Sequence, residues 1–155
     1  MLTNFEKDRQ AAREAEQIVL NFLASGLKDF TITNVSESKG CLLKGDILAE
    51  CDGAQFFIEV KDDSRINETH NILFEEAVYY KWSGATQRNE ISTDIYAVVS
   101  KAENKIYFFN FRKLKKLAKF APSRTIPHEE QITYCKLIDL EATKRSGAYL
   151  GTGAY

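Results

Sequence analysis

Apolar and polar residues alternate along the stretch from Lys44 to Lys61, KGDILAECDGAQFFIEVK, on both sides of an Asp-Gly pair. Alternation with a period of two predicts β-strands, and Asp-Gly favours the two-residue turn in which both central residues have positive φ. The stretch is therefore predicted to form a β-hairpin with Asp52 and Gly53 as its loop.

This turn fixes which residues face each other across the hairpin. Ile47 is predicted to lie opposite Ile58, and Asp46 opposite Glu59. Side chains alternate between the two faces of a strand, so one face is wholly apolar and must be covered. Its residues are Leu43, Ile47, Ala49, Cys51, Ala54, Phe56, Ile58 and Val60. The other face carries Lys44, Asp46, Leu48, Glu50, Gln55, Phe57, Glu59 and Lys61, with Lys44 opposite Lys61.

Two further segments have apolar residues at the spacing that is typical of helices. Apolar residues at three- and four-residue steps predict a helix from Asn4 to Ser25, which Gly26 would end. A shorter amphipathic helix is predicted from Arg112 to Phe120, with five basic residues on its outer face.

Apolar and β-branched runs predict the strands. They lie at 29–36, 95–100 and 105–111, and 131–138 is predicted as the last strand. Residues 69–82 fit helical spacing as well, but their aromatic and β-branched content favours a strand. Pro122 and Pro127 bracket a predicted loop, and 147–155 is either flexible or an extended closing segment.

These elements predict an α/β protein, with an N-terminal helix followed by a mixed central β-sheet flanked by helices. A length of 155 residues suits one domain, and 10 Phe, 7 Tyr and a 44% hydrophobic content suffice for a core. No apolar run approaches the roughly 18 residues of a membrane span, and the charged N-terminus lacks an apolar signal region. We therefore expect a cytoplasmic protein that does not bind membranes.

The cysteines and histidines form no recognisable pattern for a metal or a catalytic group. Cys41, Cys51 and Cys135 are odd in number and lack C-x-x-C spacing, which argues against a disulfide framework and a zinc site. We interpret them as small buried residues. His70 and His128 have no suitably spaced partner.

The predicted pair of Asp46 and Glu59 is unfavourable by itself, because like charges directly opposed in an antiparallel pair repel each other. A divalent cation would compensate for them, since Mg²⁺ binds a few carboxylate oxygens and completes its shell with water and phosphate oxygens. Lys61 lies two residues after Glu59 on the same face, where it would orient an attacking water or stabilise charge on phosphorus. This arrangement suggests hydrolysis of phosphodiester bonds.

A solvated face is the alternative, because an ordinary antiparallel hairpin also alternates apolar with charged residues. Two details favour a functional face. Leu48 opposes Phe57 there, so the face is not fully open to water, and Gly45 allows a close approach beside Asp46.

These residues resemble the PD-(D/E)XK, or restriction-endonuclease-like, nucleases. The matching motifs are Lys44-Gly45-Asp46-Ile47, in which Gly replaces the family's Pro, and Glu59-Val60-Lys61. The resemblance covers about the first 100 residues and implies a core of a helix, a three-stranded meander, a helix and a further strand. We expect one nuclease-like domain over residues 1–155. The resemblance also implies a Mg²⁺-dependent site, with Mn²⁺ as a substitute, and in-line hydrolysis that leaves a 5′-phosphate. Asp46 and Glu59 would hold the metal.

Two further features follow from the resemblance. A glutamate on the family's first helix often reaches the metal, which points to Glu16; an ordinary solvated helix charge is the alternative. One subgroup has a strand similar to residues 69–75, THNILFE, followed by motifs like Ser83-Gly84 and Thr93-Asp94. This similarity marks Glu75 as an accessory acidic residue.

The sequence indicates the substrate only weakly. A net charge of −1 provides no global attraction for nucleic acid, so any binding surface must be a local patch. Candidate phosphate contacts are Arg65, in the loop after the hairpin, and Lys113 and Lys116 on the basic helix; solvated surface charge is the alternative for each.

We expect an endonuclease that acts on DNA. RNA as the substrate and assembly into a homodimer are left open. The alternative is a catalytically inactive nuclease-fold module that binds nucleic acid or protein.

Overall fold

The computed structural model describes all 155 residues. The chain begins with helix α1, Asn4–Gly26, as predicted. Thr3 and Glu6 form a reciprocal capping box at its N-terminus. Three shorter helices follow, α2 at Ile66–Thr69, α3 at Phe111–Ala118 and α4 at Leu140–Ser146. No helix combines the length and apolarity needed to cross a membrane.

Ten strands form two sheets. Their bounds are β1 Thr31–Asn34, β2 Ile47–Cys51, β3 Ala54–Asp62, β4 Asn71–Tyr80, β5 Ala85–Arg88, β6 Ile95–Ser100, β7 Lys105–Asn110, β8 Ser123–Pro127, β9 Gln131–Asp139 and β10 Tyr149–Ala154. The main sheet has the order β1-β2-β3-β6-β7-β10, and the second sheet has the order β5-β4-β9-β8. Only the pair β3 and β6 is parallel, so the main sheet is mixed.

The β2–β3 hairpin has the predicted register between residues 47 and 58. Asp52 and Gly53 both have positive φ, at 48° and 83°, and Ile47 pairs with Ile58. The pairing ends there, so the predicted direct oppositions of Asp46 to Glu59 and of Lys44 to Lys61 are wrong. Gly45, at φ 144°, bends the chain before β2, and Lys44 lies over the Phe57 ring instead.

The main sheet separates two hydrophobic cores. On one face α1 packs against the predicted apolar face of the hairpin, which buries Ile47, Ala49, Ile58 and Val60. The face is not covered throughout, since Leu43, which precedes β2, is 56% exposed, and Phe56, near the turn, is 43% exposed. On the other face the second sheet and α3 cover Tyr96 and the neighbouring apolar residues of β6 and β7.

The second sheet corrects the predicted architecture. Helix α1 covers one face of the main sheet, but a four-stranded sheet with α3 covers the other, so the sheet is not simply flanked by helices. The helix implied between the third and the further strand is only the single turn α2, and the β4–β5 hairpin fills the connection. The preference for a strand at 69–82 is confirmed by β4.

The C-terminal third contains elements that the sequence did not predict. The expected loop between Pro122 and Pro127 is the edge strand β8, where a proline is tolerated because one side of the strand donates no ladder hydrogen bonds. The strand at 131–138, extended to β9, is not the last, since α4 and β10 follow. β10 pairs with β7, and Gly153 lies against the Phe22 ring, where a Cβ would come within 2.2 Å of Cζ.

Candidate active site

Asp46 is held beside β3 by hydrogen bonds to two residues of that strand. Its backbone amide donates to the Ile58 carbonyl oxygen at 2.9 Å, and its carboxylate Oδ2 accepts from the Val60 amide at 2.8 Å. The side chain thus replaces a backbone acceptor at the end of the paired region. It fixes the carboxylate against the strand that carries Glu59 and Lys61.

Gly45 makes this placement possible. A Cβ at residue 45 would lie 2.9 Å from the Ile58 carbonyl oxygen and 3.1 Å from the Thr93 hydroxyl. The φ of 144° is also one that residues with side chains rarely adopt. The close approach inferred from the sequence is therefore made by the β3 backbone, and it explains why a glycine precedes Asp46.

Thr93 and Asp94, in the loop before β6, form hydrogen bonds with the backbone of Phe57 in β3. The Thr93 hydroxyl donates to the Phe57 carbonyl at 2.8 Å, and the Asp94 carboxylate accepts from the Phe57 amide at 2.8 Å. The Ser92 amide donates to the Leu43 carbonyl at 2.8 Å. The Thr93-Asp94 motif therefore positions the segments around Asp46. The Asp94 carboxylate is occupied by its hydrogen bond to the Phe57 amide.

Glu59 and Lys61 project from the same face of β3 and form an ion pair. Lys61 Nζ lies 3.3 Å from Glu59 Oε1. The Glu59 side chain is 8% exposed and the Lys61 side chain 32% exposed. The pair is thus recessed, although part of the Lys61 side chain remains exposed.

Burial raises the pKa of both carboxylates. For Asp46 the loss of solvation exceeds the opposing effect of the Val60 amide, and the charge of Glu16 adds to the rise in pKa. For Glu59 burial raises the pKa to about 7, against the opposing effect of Lys61. Asp46 and Glu16 further raise the Glu59 pKa, so the three acids lie close enough to influence one another.

The surroundings of Lys61 favour its charged form. Burial by itself would lower the pKa of Lys61, but Tyr96 and the carboxylates of Glu59 and Glu75 outweigh it, so the pKa lies above its ordinary value. Lys61 is therefore a cation and a hydrogen-bond donor at neutral pH.

Glu16 approaches this group from α1. It is half-buried, and its Oε2 accepts a hydrogen bond from Asn34 Nδ2 at 3.1 Å. The structure thus brings all four predicted residues, Asp46, Glu59, Lys61 and Glu16, into one neighbourhood. No group of three or more His, Cys, Asp and Glu side chains is arranged to hold a metal ion by itself.

Glu59 and Lys61 line a cleft of about 710 Å³. Its walls come from β3, β4, β5, β6, β9, α3 and the segment 89–91. Asp46 and Glu16 are not among the residues that line the cleft, although both influence the pKa of Glu59, which does line it. Glu75 does line it, at a β-bulge in β4 where Asn89 Nδ2 donates to the Glu75 carbonyl at 3.3 Å.

Comparison with protein-family models, with curated proteins and with solved structures gives no match to this chain.

Tyr96 is a member of the site that the sequence reasoning missed. It is the β6 neighbour of Glu59, is 3% exposed, and donates from its hydroxyl to the Leu73 carbonyl at 3.0 Å. Its ring packs against Phe74 and Phe111 and forms part of the cleft wall. The only signal in the sequence was a tyrosine hydroxyl inside the apolar run IYAVV.

The predicted phosphate contacts lie elsewhere. Arg65 is exposed and pairs with Glu68 at 3.7 Å, and Lys113 and Lys116 are exposed on α3 outside the cleft. Their neighbours Lys115 and Lys119 line the cleft instead. The basic helix therefore faces the candidate site with different lysines from those selected on the sequence.

The cysteines are all free thiols. Cys135 is buried, and burial raises its pKa to about 11, whereas Cys41 and Cys51 are only half-buried. The interpretation as buried residues is thus confirmed for Cys135 alone.

We expect Glu59→Gln to remove a pH dependence of stability. Protonated Glu59 stabilises the fold below its ordinary pKa of 4.5, and this contribution is lost as the pH rises through the folded-state pKa of about 7. At about 1.4 kcal/mol per pKa unit, the difference in unfolding free energy between variant and wild type should grow by up to about 3 kcal/mol between pH 4.5 and 8. Urea unfolding in EDTA measures it.

Glu130→Gln, at an exposed residue without an ion pair, is the matched control and should follow the wild type at every pH. If the unfolding free energy of Glu59→Gln also changes with pH as that of the wild type does, the raised pKa of Glu59 is refuted.

Proposed function

We propose that this protein is a Mg²⁺-dependent nuclease that hydrolyses phosphodiester bonds in DNA. The observation that carries the proposal is the placement of Asp46, Glu59 and Lys61 together by one hairpin and by the Gly45 bend. A buried and a half-buried carboxylate with raised pKa values beside a recessed cation are costly for stability, and such groups concentrate at functional sites.

The residues present fit a divalent cation of the magnesium type. Mg²⁺ usually takes one or two protein carboxylates and fills its remaining positions with water and substrate phosphate oxygens. Asp46 and Glu59 would provide these carboxylates, with Glu16 supporting them directly or through water.

When bound, the cation would supply charge stabilisation to the phosphate group under attack. Lys61 would orient the attacking water through its ammonium protons and offset charge growing on the phosphate oxygens. Its cationic state makes it a donor and not the proton acceptor. Glu59 would keep the Lys61 ammonium in place through their 3.3 Å contact.

The strand order supports the resemblance to PD-(D/E)XK nucleases. A helix, three antiparallel strands and a later strand beside the third occur in the implied order. The hairpin in place of a connecting helix is a departure from that core. DNA as the substrate and a 5′-phosphate product rest on the resemblance alone.

Incubation with labelled single-stranded DNA or plasmid DNA tests the proposal. We expect cleavage with Mg²⁺ or Mn²⁺, no cleavage in EDTA, and a 5′-phosphate at the new ends. The same assay on RNA tests the RNA-directed option. A purified, folded protein that cleaves none of these substrates with either metal would contradict the proposal.

The inactive module remains the second candidate, because the Glu59–Lys61 ion pair already offsets one buried acid without any metal. Nucleic-acid binding that persists in Asp46→Ala and Lys61→Ala, with no metal-dependent cleavage by the wild type, would favour this candidate.

A further inference from the structure

We propose that the substrate entering the cleft is an unpaired nucleic-acid strand, whose phosphates are contacted by Arg88, Lys115 and Lys119. The inference rests on the proposed function, because it concerns what reaches Glu59 and Lys61. It is carried by the size of the cleft, by the depth of Glu59 within it, and by three basic residues on its walls.

The size and depth of the cleft favour a single strand over a duplex. Its volume of about 710 Å³ lies within the roughly 300–1,000 Å³ of pockets that enclose small molecules. The Glu59 side chain, only 8% exposed, lies on its wall, with strands of the second sheet and α3 around it. A stacked duplex is too wide to enter such a space whole and would lie across its mouth, whereas a single strand can enter it.

The basic residues form two sides of this space. Lys115 and Lys119 lie four residues apart and therefore on one face of α3 and its C-terminal cap. Arg88 ends β5 on another wall of the cleft. None of the three forms an ion pair within 4.0 Å, in contrast to Lys101 and Arg65.

The cleft also contains acidic residues, which repel phosphates. A polyanionic ligand therefore needs these cations to offset the repulsion. Glu75, Glu76 and Glu90 line the cleft along with Glu59, and they balance the four basic residues including Lys61. Cations that form no ion pair with these acids would attract phosphates, as in channels that bind single strands. Tyr134, half-buried on the cleft wall, offers an aromatic surface on which an unpaired base can stack.

Fluorescence anisotropy in EDTA, where cleavage is not expected, tests this inference with a labelled single-stranded oligonucleotide and with the same sequence as a duplex. We expect the single strand to bind on the order of tenfold more tightly than the duplex. The double substitution Lys115→Ala with Lys119→Ala should weaken single-strand binding by about tenfold to a hundredfold. It should also reduce the slope of log K against log salt by about 1.4, since each phosphate contact on a single strand contributes about 0.7.

Lys113→Ala with Lys116→Ala is the matched control, because it removes the same charge from the same helix outside the cleft. It should change affinity only slightly. Equal losses in the two double variants, or tighter binding of the duplex, would overturn the inference while leaving the proposed hydrolysis intact. Selective single-strand binding without metal-dependent cleavage would support the cleft assignment and contradict the proposed function.

Discussion

Asp46→Asn is expected to abolish metal-dependent cleavage while leaving the fold intact. Asparagine keeps an oxygen that accepts the Val60 amide hydrogen bond, but it removes the charge that would bind the cation. Losing several kcal/mol of transition-state stabilisation corresponds to a fall of about a thousandfold in kcat/KM. Steady-state cleavage with saturating Mg²⁺, together with thermal unfolding, measures both effects.

Asp46→Ala separates the structural role of this side chain from its proposed catalytic role. It leaves the Val60 amide without its acceptor and should lower the free energy of unfolding by about 1–3 kcal/mol in addition to removing activity. Glu50→Gln, on the same hairpin, should retain cleavage. Near-normal activity of Asp46→Asn would rule out Asp46 as a metal ligand.

Gly45→Ala is expected to destabilise the protein strongly and to reduce cleavage. The added Cβ would meet the Ile58 carbonyl oxygen at 2.9 Å, and the φ of 144° is unfavourable for alanine. Backbone strain and overpacking together should cost about 3 kcal/mol. For a chain of this size that lowers Tm by about 10 °C, which calorimetry measures.

Gly40→Ala provides the comparison at a nearby glycine. Gly40 has no atom within 4 Å of an added Cβ and no positive φ, so its substitution should change stability by no more than about 0.5 kcal/mol. If both variants unfold at the wild-type temperature, the bend at Gly45 does not hold Asp46 in the way described.

The sequence predicted the hairpin because its determinants are local. The Asp52-Gly53 pair sets the turn, and the turn sets the register from Ile47 onward. The predicted register was wrong at Asp46, because the positive φ of Gly45 ends the regular pairing of the two strands. That bend depends on contacts with Ile58 and Thr93. The four site residues nevertheless came together, since alternation along β3 placed Glu59 and Lys61 on one face.

The features that the sequence did not predict depend on distant contacts. Strand β8 forms only by pairing with β9, and nothing in residues 123–127 alternates clearly. Periodicity identified the amphipathic helix, but which lysines face the cleft depends on how α3 packs through Leu114 and Ala118. That packing places Lys115 and Lys119, and not Lys113 and Lys116, at the cleft.

Anomalous diffraction from crystals soaked in Mn²⁺ tests the central claim most directly. We expect one Mn²⁺ ion bound between the carboxylates of Asp46 and Glu59, with Glu16 in its direct or water-mediated shell, and no ion at that position in Asp46→Asn crystals. A saturating soak that leaves the space between these two carboxylates empty, or that places the ion elsewhere, would contradict the nuclease proposal.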